Sequence, residues 1–230
     1  MARLNNDVRV IAIDGPSASG KSTVARESAR ALGFNYVDSG ALYRGITWKC
    51  LRERVDVEDA AAVIELMGRI KLEFFVEEHA VKFLIDGEDP GAQVRSVPVQ
   101  ERVSDVAAIP EIRQTLVRLL RETVRFGHLV MEGRDIGTVV FPDTPFKFYL
   151  DADPEERARR RHQEMLQSAS DTTVDNVLDS LRRRDRKDTT RKAAPLQIAL
   201  GAHVIDSTTM EVPEVVKLVV AQVRAAGLQA

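Results

Sequence analysis

Residues 15–22 have the types and the spacing needed to hold phosphate groups. They read Gly-Pro-Ser-Ala-Ser-Gly-Lys-Ser, which fits the phosphate-binding pattern G-x-x-x-x-G-K-[ST]. In such a loop, backbone N–H groups surround phosphate oxygens, the lysine reaches the β- and γ-phosphates, and the last hydroxyl can ligate magnesium. The stretch therefore predicts a nucleotide-binding loop with Mg²⁺ at Ser22. The residues that we assign to nucleotide binding are Gly15, Pro16, Ser17, Ala18, Ser19, Gly20, Lys21, Ser22 and Thr23.

The residues on either side of this loop predict the elements that would position it. The apolar, β-branched run at 8–13 is typical of a buried parallel strand. Residues 23–32 favour a helix, which Gly33 would end. The loop would then lie at a helix N-terminus, where unpaired N–H groups and the helix dipole attract an anion. The residues expected on the inner face of that helix are Val24, Ser28, Ala31 and Leu32.

A second group of charged residues could hold another anion. Arg44 lies about one helical turn beyond the predicted turn at 38–40, so its guanidinium could bind a phosphate through two hydrogen bonds. Arg134 and Asp135 follow a predicted buried strand, at the edge where open parallel sheets bind ligands. For these side chains a structural ion pair, such as one between Arg134 and Asp135, is the alternative.

The rest of the chain alternates between predicted strands and helices. The alternation predicts an α/β fold in which helices wrap a parallel sheet. Two short apolar runs, 72–76 and 80–85, predict a small antiparallel hairpin inserted in that pattern. The further predicted strands are 34–37, 128–131, 146–150 and 203–206. The further predicted helices are 41–54, 58–69, 97–108, 110–126, 154–168, one through 178–181, and 212–226.

The composition indicates one globular domain. The chain has 230 residues, of which 44% are hydrophobic and 30% charged, and its formal net charge of −2 argues against a nucleic-acid-binding protein. No apolar run approaches the roughly 18 residues of a membrane-spanning helix, and residues 1–7 lack the apolar core of a secretory signal. Cys50 is the only cysteine, which excludes an intrachain disulfide and favours the reducing cytoplasm. A zinc site is not expected, because the histidines show no ligand spacing.

Together these motifs resemble those of the bacterial cytidylate kinases over nearly the whole chain. The Gly-Arg-Asp block is the most specific of them and the phosphate loop is the least. One departure is Val-Pro-Val at 97–99, where a polar-Glu-Val pattern is common in the family. The stretches that carry the resemblance are 13–17 with the phosphate loop, Asp-Ser-Gly-Ala-Leu-Tyr-Arg at 38–44, 133–142, 184–191 leading to Ala-Pro-Leu at 194–196, and Asp-Ser-Thr at 206–208.

The resemblance implies a P-loop kinase fold and an enzyme that moves the γ-phosphoryl group of ATP to CMP or dCMP with Mg²⁺. The whole chain, 1–230, would be a single domain with an insertion on the monophosphate side at about 66–97. Cytosine suits the matched side chains, because its amino group can donate to a carboxylate while O2 and N3 accept from arginine or serine. The residues matched to the acceptor nucleotide are Ser39, Arg44 and Arg134. Those matched to the base are Ser104, Arg113 and Asp135.

The arginine density of residues 157–192 and a polar break at 168–173 predict a mobile lid, and the resemblance implies a mobile segment there. Its matched residues are Arg184, Asp188 and Arg191, of which Asp188 can accept a hydrogen bond from a ribose hydroxyl. Phosphoryl transfer requires positioning and charge stabilisation rather than a protein nucleophile. The residues expected to neutralise the transferring group are Lys21, Arg134, Arg184 and Arg191. The candidates for a second acidic magnesium contact are Asp14, Glu132 and Asp135.

Two other functions share some of these features. A related P-loop kinase acting on another nucleoside monophosphate or on a small anionic acceptor would also use Arg44 and Arg134. A nucleotide-dependent regulatory switch would share the loop but needs no second phosphate site, and the chain carries no Asn-Lys-x-Asp guanine signature. We expect a cytoplasmic monomer that binds ATP and CMP or dCMP, with no nucleic-acid or membrane partner.

Overall fold

A single twisted sheet forms the centre of the molecule. The computed structural model describes residues 8–166 and 172–227, and within them seven strands lie in the order β3-β4-β2-β5-β1-β6-β7. All neighbouring strands are parallel except β3 and β4, which are antiparallel. The strands are β1 (Val10–Asp14), β2 (Asn35–Asp38), β3 (Leu72–Glu77), β4 (Ala80–Ile85), β5 (Leu129–Gly133), β6 (Phe146–Asp151) and β7 (His203–Asp206).

Helices cover both faces of this sheet. Short 3-10 turns lie at Gly91–Arg95 and Thr123–Phe126, and a π-helical turn spans Ile136–Val140. None of the helices in the described part of the chain is long and apolar enough to cross a membrane. The α-helices are α1 (Lys21–Leu32), α2 (Ser39–Arg52), α3 (Ala60–Arg69), α4 (Val97–Val106), α5 (Pro110–Glu122), α6 (Pro154–Leu166), α7 (Val174–Thr190) and α8 (Val212–Ala225).

The interior strand β1 is buried on both faces, as its continuous apolar sequence predicts. Val10 and Ala12 face a core that α2, α3, α4 and α5 cover. Ile11 and Ile13 face the opposite core, which α1 and α8 cover through residues such as Val24. This two-sided burial fixes the carboxyl end of β1, where the phosphate loop begins.

The α/β prediction is confirmed, and the antiparallel hairpin belongs to the main sheet. Strand β4 pairs in parallel with β2 at Ala80 and Tyr36, so the hairpin adds two strands to one edge. Gly33 ends α1 with φ 67°, as predicted. Ala31 is exposed, contrary to the prediction, because the inner face of α1 is centred on Ala25 and Ala29.

Two sequence predictions fall partly or wholly outside the described residues. The secretory-signal argument concerns residues 1–7, and the polar break expected at 168–173 includes the undescribed residues 168–171. Within the described part, α6 ends at Leu166 and α7 begins at Val174. The predicted arginine-rich segment thus contains two helices that pack on each other through Ala158, Val177 and Leu181.

Candidate active site

One cavity of about 480 Å³ lies at the carboxyl ends of the parallel strands. Its walls come from the phosphate loop, the start of α2, α4, α5, the residues after β5, and α7. The fold thus brings the expected donor loop and the expected acceptor residues together. The sequence-predicted residues that line it are Ser17, Ala18, Gly20, Lys21, Ser22, Thr23, Ser39, Arg44, Ser104, Arg113, Glu132, Arg134, Asp135, Arg184, Asp188 and Arg191.

Three residues of the predicted loop support it from outside the cavity. A Cβ at Gly15, where φ is +155°, would lie 2.1 Å from the backbone carbonyl oxygen of Leu150, so only glycine fits. The Pro16 carbonyl accepts a hydrogen bond from Lys21 Nζ at 2.8 Å. The Ser19 carbonyl accepts one from the Ser207 hydroxyl at 3.1 Å. Gly15, Pro16 and Ser19 therefore hold the shape of the loop.

Lys21 is buried at the base of the cavity, with 5% of the residue exposed. Burial, and next the positive charge of Arg134, lower the pKa of this lysine to about 7. Since a charged ammonium is costly to bury without an anion, the site favours a ligand that brings negative charge to Lys21.

Among the three acidic candidates for a magnesium contact, Glu132 lies beside the phosphate loop. Its carboxylate accepts a hydrogen bond from the Ser22 hydroxyl at 2.7 Å. Burial, and next the charge of Asp38, raise the pKa of Glu132. The carboxylate of Asp14 instead binds two backbone N–H groups, and that of Asp135 binds Arg113. Within the residues that the structure describes, no cluster of three or more His, Cys, Asp or Glu could hold a metal ion.

On the acceptor side, the arginines expected to bind phosphate are paired with aspartates. Arg44 Nη2 lies 2.7 Å from Asp38 Oδ2, and Arg134 Nε lies 2.9 Å from Asp188 Oδ2. Arg191 Nη1 is 3.7 Å from the other oxygen of Asp188. Burial acts to raise the pKa of Asp188, but its arginine neighbours outweigh burial and the pKa is lowered. Asp188 therefore stays ionised and holds two cations at the cavity wall.

The residues matched to the base form another buried pair. Arg113 is hydrogen-bonded to Asp135, and its guanidinium lies 5.2 Å from the centre of the Tyr43 ring. The expected alternative, a pair between Arg134 and Asp135, is wrong, because these neighbours bind different partners. Ser104 lines the same part of the cavity.

Several buried arginine N–H groups have no hydrogen-bond partner in the described structure, although such groups are normally paired. Arg184 carries one of them. Burial, and after it the positive charge of Arg134, lowers the pKa of Arg184 to about 10. All of them belong to residues assigned to the site from sequence. Unpaired donors of residues that line a cavity are suited to donate hydrogen bonds to anionic groups or to the acceptor atoms of a base. The atoms are Arg44 Nε, Arg113 Nε, Arg184 Nε and Arg191 Nη2.

Comparison with known proteins gives the family. The cytidylate kinase family model matches residues 11–225. The chain belongs to the cytidylate kinase family. A cytidylate kinase of Caldanaerobacter subterraneus is 43% identical over 93% of this chain and 94% of its own, and one of Pelotomaculum thermopropionicum is 44% identical over 94% and 96%. The expected resemblance is confirmed.

A solved structure supports the fold alone. The crystal structure of a protein from Eubacterium ventriosum aligns with a TM-score of 0.51 and 10% identity, over 94% of this chain and 98% of that chain. It has the same overall architecture as this member of the cytidylate kinase family.

In this cytidylate kinase family member, Arg157 joins the expected lid to the phosphate loop. Its guanidinium donates to the carbonyls of Ser17 at 3.1 Å and Ala152 at 3.0 Å, and pairs with Asp185 of α7 at 2.7 Å. Asp185 directly follows Arg184 in the sequence. A buried bridge therefore connects the donor loop with the helix that carries acceptor-side residues.

Other contacts join α4 to the arginine-rich segment. Lys187 of α7 lies 2.7 Å from Asp105 of α4, and Arg161 of α6 is hydrogen-bonded to Gln100 of α4. The described conformation thus brings α4 into contact with both helices of the arginine-rich segment.

Sequence reasoning gave no role to several residues that line the cavity. Asp38 stood inside a quoted motif, and its spacing before Arg44 could have suggested the observed ion pair. The others lie on helix faces or in a 3-10 turn, where no local pattern separates a cavity residue from a surface one. The lining residues without an assigned role include Arg26, Asp38, Tyr43, Arg95, Gln100, Val103, Ala107, Arg161 and Glu164.

Proposed function

We propose that this protein transfers the γ-phosphoryl group of ATP to CMP or dCMP, yielding ADP and CDP or dCDP. The observation that carries this conclusion is the shared cavity, which is lined by a phosphate loop and by a second set of buried arginines. A single-nucleotide switch needs only the first of these. A kinase whose acceptor is itself a phosphate needs both.

The donor side would hold ATP through the phosphate loop. Backbone N–H groups of the loop and the N-terminus of α1 would surround the β- and γ-phosphates. Lys21 would exchange its bond with the Pro16 carbonyl for the terminal phosphates, which bring the charge that favours its ammonium form.

The oxygen atoms beside the loop fit magnesium. The Ser22 hydroxyl and the Glu132 carboxylate lie 2.7 Å apart at the cavity wall, and hard oxygen ligands of this kind suit Mg²⁺. We assign Ser22 as a ligand and Glu132 as the acidic partner. When bound, the ion would neutralise charge on the phosphates and help to orient them.

The acceptor phosphate would bind between Arg44 and Arg134. Each pairs with an aspartate, which orients its guanidinium. Ser39 lies at the start of α2 and lines the same wall. Asp188 would hold Arg134 and accept from the ribose, while Arg184 and Arg191 approach the phosphates.

The base would be read by Asp135, Arg113 and Ser104. The Asp135 carboxylate would accept a hydrogen bond from the cytosine amino group, and the arginine and serine would donate to O2 and N3. UMP presents a carbonyl where CMP presents the amino group, so it would place an acceptor against Asp135. This arrangement favours CMP over UMP.

The transfer itself requires no protein nucleophile. An oxygen of the acceptor phosphate forms the new bond to the γ-phosphorus, and the bond between that phosphorus and the β–γ bridging oxygen breaks with its electron pair leaving on ADP. Lys21, Arg134, Arg184 and Arg191 would stabilise the charge on the transferring group. Closure of the segment at about 157–192 would exclude water that could hydrolyse ATP.

Steady-state turnover with a panel of nucleoside monophosphates tests this function. We expect the highest kcat/KM with CMP or dCMP, and a preference over UMP of about 10- to 100-fold, the value of one well-placed base contact. Asp135→Asn should compress that preference. Arg44→Ala is the matched control, because a phosphate contact should affect CMP and UMP alike.

Two results would contradict the proposal. Equal turnover of all monophosphates would remove the base-reading role, and turnover only with a non-nucleotide anion would assign another acceptor. An unchanged CMP-to-UMP ratio in Asp135→Asn would leave Asp135 as a structural partner of Arg113.

A further inference from the structure

Asp14 is acidic and adjoins the phosphate loop, yet it does not line the cavity in the described structure. It is the last residue of β1, and Gly15 follows it directly. Only 3% of the residue is exposed. The carboxylate of Asp14 therefore makes its contacts within the protein, beside the phosphate loop.

Both carboxylate oxygens of Asp14 bind the segment after β5. Oδ1 accepts from the Ile136 N–H at 2.8 Å, and Oδ2 accepts from the Gly137 N–H at 2.7 Å. These N–H groups begin the π-helical turn, so they have no partner within it. One side chain thus satisfies two successive backbone donors, and loss of either bond would leave a buried N–H unpaired.

The residues between these anchors are the two that face the acceptor. Gly133 is paired with Asp14 in the β1–β5 register, while Ile136 and Gly137 are held by the Asp14 carboxylate. Only Arg134 and Asp135 lie between. Their two-residue turn is therefore fixed at both ends by the residue that precedes the phosphate loop.

The preceding glycine has no room to compensate for a shift of this turn. A Cβ at Gly133 would lie 2.5 Å from Ser39 Oγ and 2.7 Å from Ile136 Cδ1, so the backbone here packs closely against its neighbours. The backbone of Asp135 lies outside helical and extended geometry, at φ −150° and ψ 26°. Its side-chain direction thus depends on the anchors beyond it.

We propose that Asp14 is a positioning residue for acceptor recognition. By joining the end of β1 to the Ile136 and Gly137 amides, it sets the place of Arg134 and Asp135 relative to the phosphate loop. The inference rests on the proposed base-reading role of Asp135. It adds that base selection depends on a residue that touches neither substrate.

The variant Asp14→Asn tests this role with little change in volume. It replaces one acceptor oxygen by an NH₂ group, which would face a backbone N–H. We expect the CMP-to-UMP ratio of kcat/KM to fall by about tenfold or more, since small displacements of positioned groups have effects of this size. We expect the Kd for ATP to stay within about twofold, because the loop keeps its own backbone bonds.

Asp151→Asn is the matched control. Asp151 ends the neighbouring strand β6, and its side chain accepts only from the adjacent Ala152 N–H in the described structure. It should leave both the ratio and the Kd for ATP unchanged. The ratio is measured within one preparation, so it does not depend on the fraction of folded enzyme. Should Asp14→Asn be insoluble, Asp14→Glu keeps the carboxylate but displaces it, and should compress the ratio by a smaller factor.

The outcomes separate this inference from the proposed function. An unchanged ratio in both Asp14 variants, with selectivity lost in Asp135→Asn, would overturn the positioning role alone. A weakened Kd for ATP with an unchanged ratio would assign Asp14 to the phosphate loop instead. A wild-type protein without CMP preference would overturn the base-reading role on which the inference rests.

Discussion

The donor and acceptor sides of the cavity are built in different ways. On the donor side the ligand groups come mainly from backbone, and Lys21 is held by a carbonyl of its own loop. On the acceptor side arginines are held by carboxylates, as Arg44 is by Asp38 and Arg134 is by Asp188. The acceptor side thus presents oriented ion pairs, whereas the donor side presents backbone groups and one lysine.

This difference separates general from specific recognition. Backbone N–H groups and one lysine suit any phosphate chain, so the donor side can be built from one continuous motif. Arginine–aspartate pairs place donors and acceptors side by side, as a pyrimidine base and its phosphate require. Their members come from separate elements, so the specific half of the site exists only when the fold is complete.

The largest expected effect is loss of the donor-side cation. Lys21→Met should lower kcat by about 10²-fold or more with every acceptor, because a preorganised charge at the transferring group is lost. Folding should survive, since burying an uncharged thioether costs less than burying a lysine amine. Steady-state kinetics with CMP and UMP, alongside thermal unfolding, measure both outcomes.

A change in the CMP-to-UMP ratio of kcat/KM in Lys21→Met would contradict the division between a general donor side and a specific acceptor side, because it would give the donor lysine a part in base recognition. Near-normal turnover would remove Lys21 from the mechanism. Lys49→Met is the matched control, since Lys49 pairs on another surface with Glu53 and Asp86. It should leave turnover unchanged.

An intermediate effect is expected where the two sides are joined. Asp185→Asn weakens the bridge from Arg157 to α7. The KM for CMP should rise by up to about tenfold, because a charge-assisted hydrogen bond becomes a neutral one. The KM for CMP should rise by more than that for ATP, since α7 carries Arg184 and Asp188. Hydrogen exchange of α7 without substrates should become faster, and both substrates together should restore protection.

Asp179→Asn is the control for this bridge, because it changes a carboxylate on the same helix away from Arg157. Equal kinetics and equal exchange in the two variants would show that the bridge does not connect the two sides. Protection of α7 that is the same with and without nucleotides in the wild-type protein would count against lid closure.

The smallest expected effect is uptake of a proton, up to about one per ATP, at pH 8. Since burial lowers the pKa of Lys21 to about 7, the free lysine is mostly neutral at this pH, and ATP phosphates would recharge it. CMP binding should take up no proton. The pKa of Arg184 is lowered only to about 10, so this side chain is already protonated at pH 8. Calorimetry in two buffers of different ionisation enthalpy measures the difference. Equal uptake for both ligands, or uptake that persists in Lys21→Met, would contradict it.

The sequence predicted the sheet and the phosphate loop, because each depends on a local pattern, and the family resemblance supplied most of the acceptor-side residues that line the cavity. The strand-loop-helix context of Gly15 and Lys21 is contiguous, so 3.6- and 2-residue periodicities were enough. The ion pairs between these side chains were not predictable. Arg134 binds Asp188, 54 residues further along the chain, rather than its neighbour Asp135, and only the packing of α7 brings them together.

The place of Asp14 was hidden for the same reason. As a carboxylate beside a phosphate loop it was a reasonable magnesium contact, but its partners, the amides of Ile136 and Gly137, follow a different strand. The exposure of Ala31 shows a smaller limit, since periodicity gives a helix face only to within a residue or so.

The cavity lining also concentrates charge. Among the described residues that line it, nine are basic and five acidic, whereas the whole chain has a formal net charge of −2. The remaining surface must therefore be acidic on balance, and a positive mouth in such a surface guides anions toward it before any contact forms. The association rate constant for nucleotides should be high in dilute buffer and should fall as added salt screens the field. The turnover number of the substrate-saturated enzyme should stay constant.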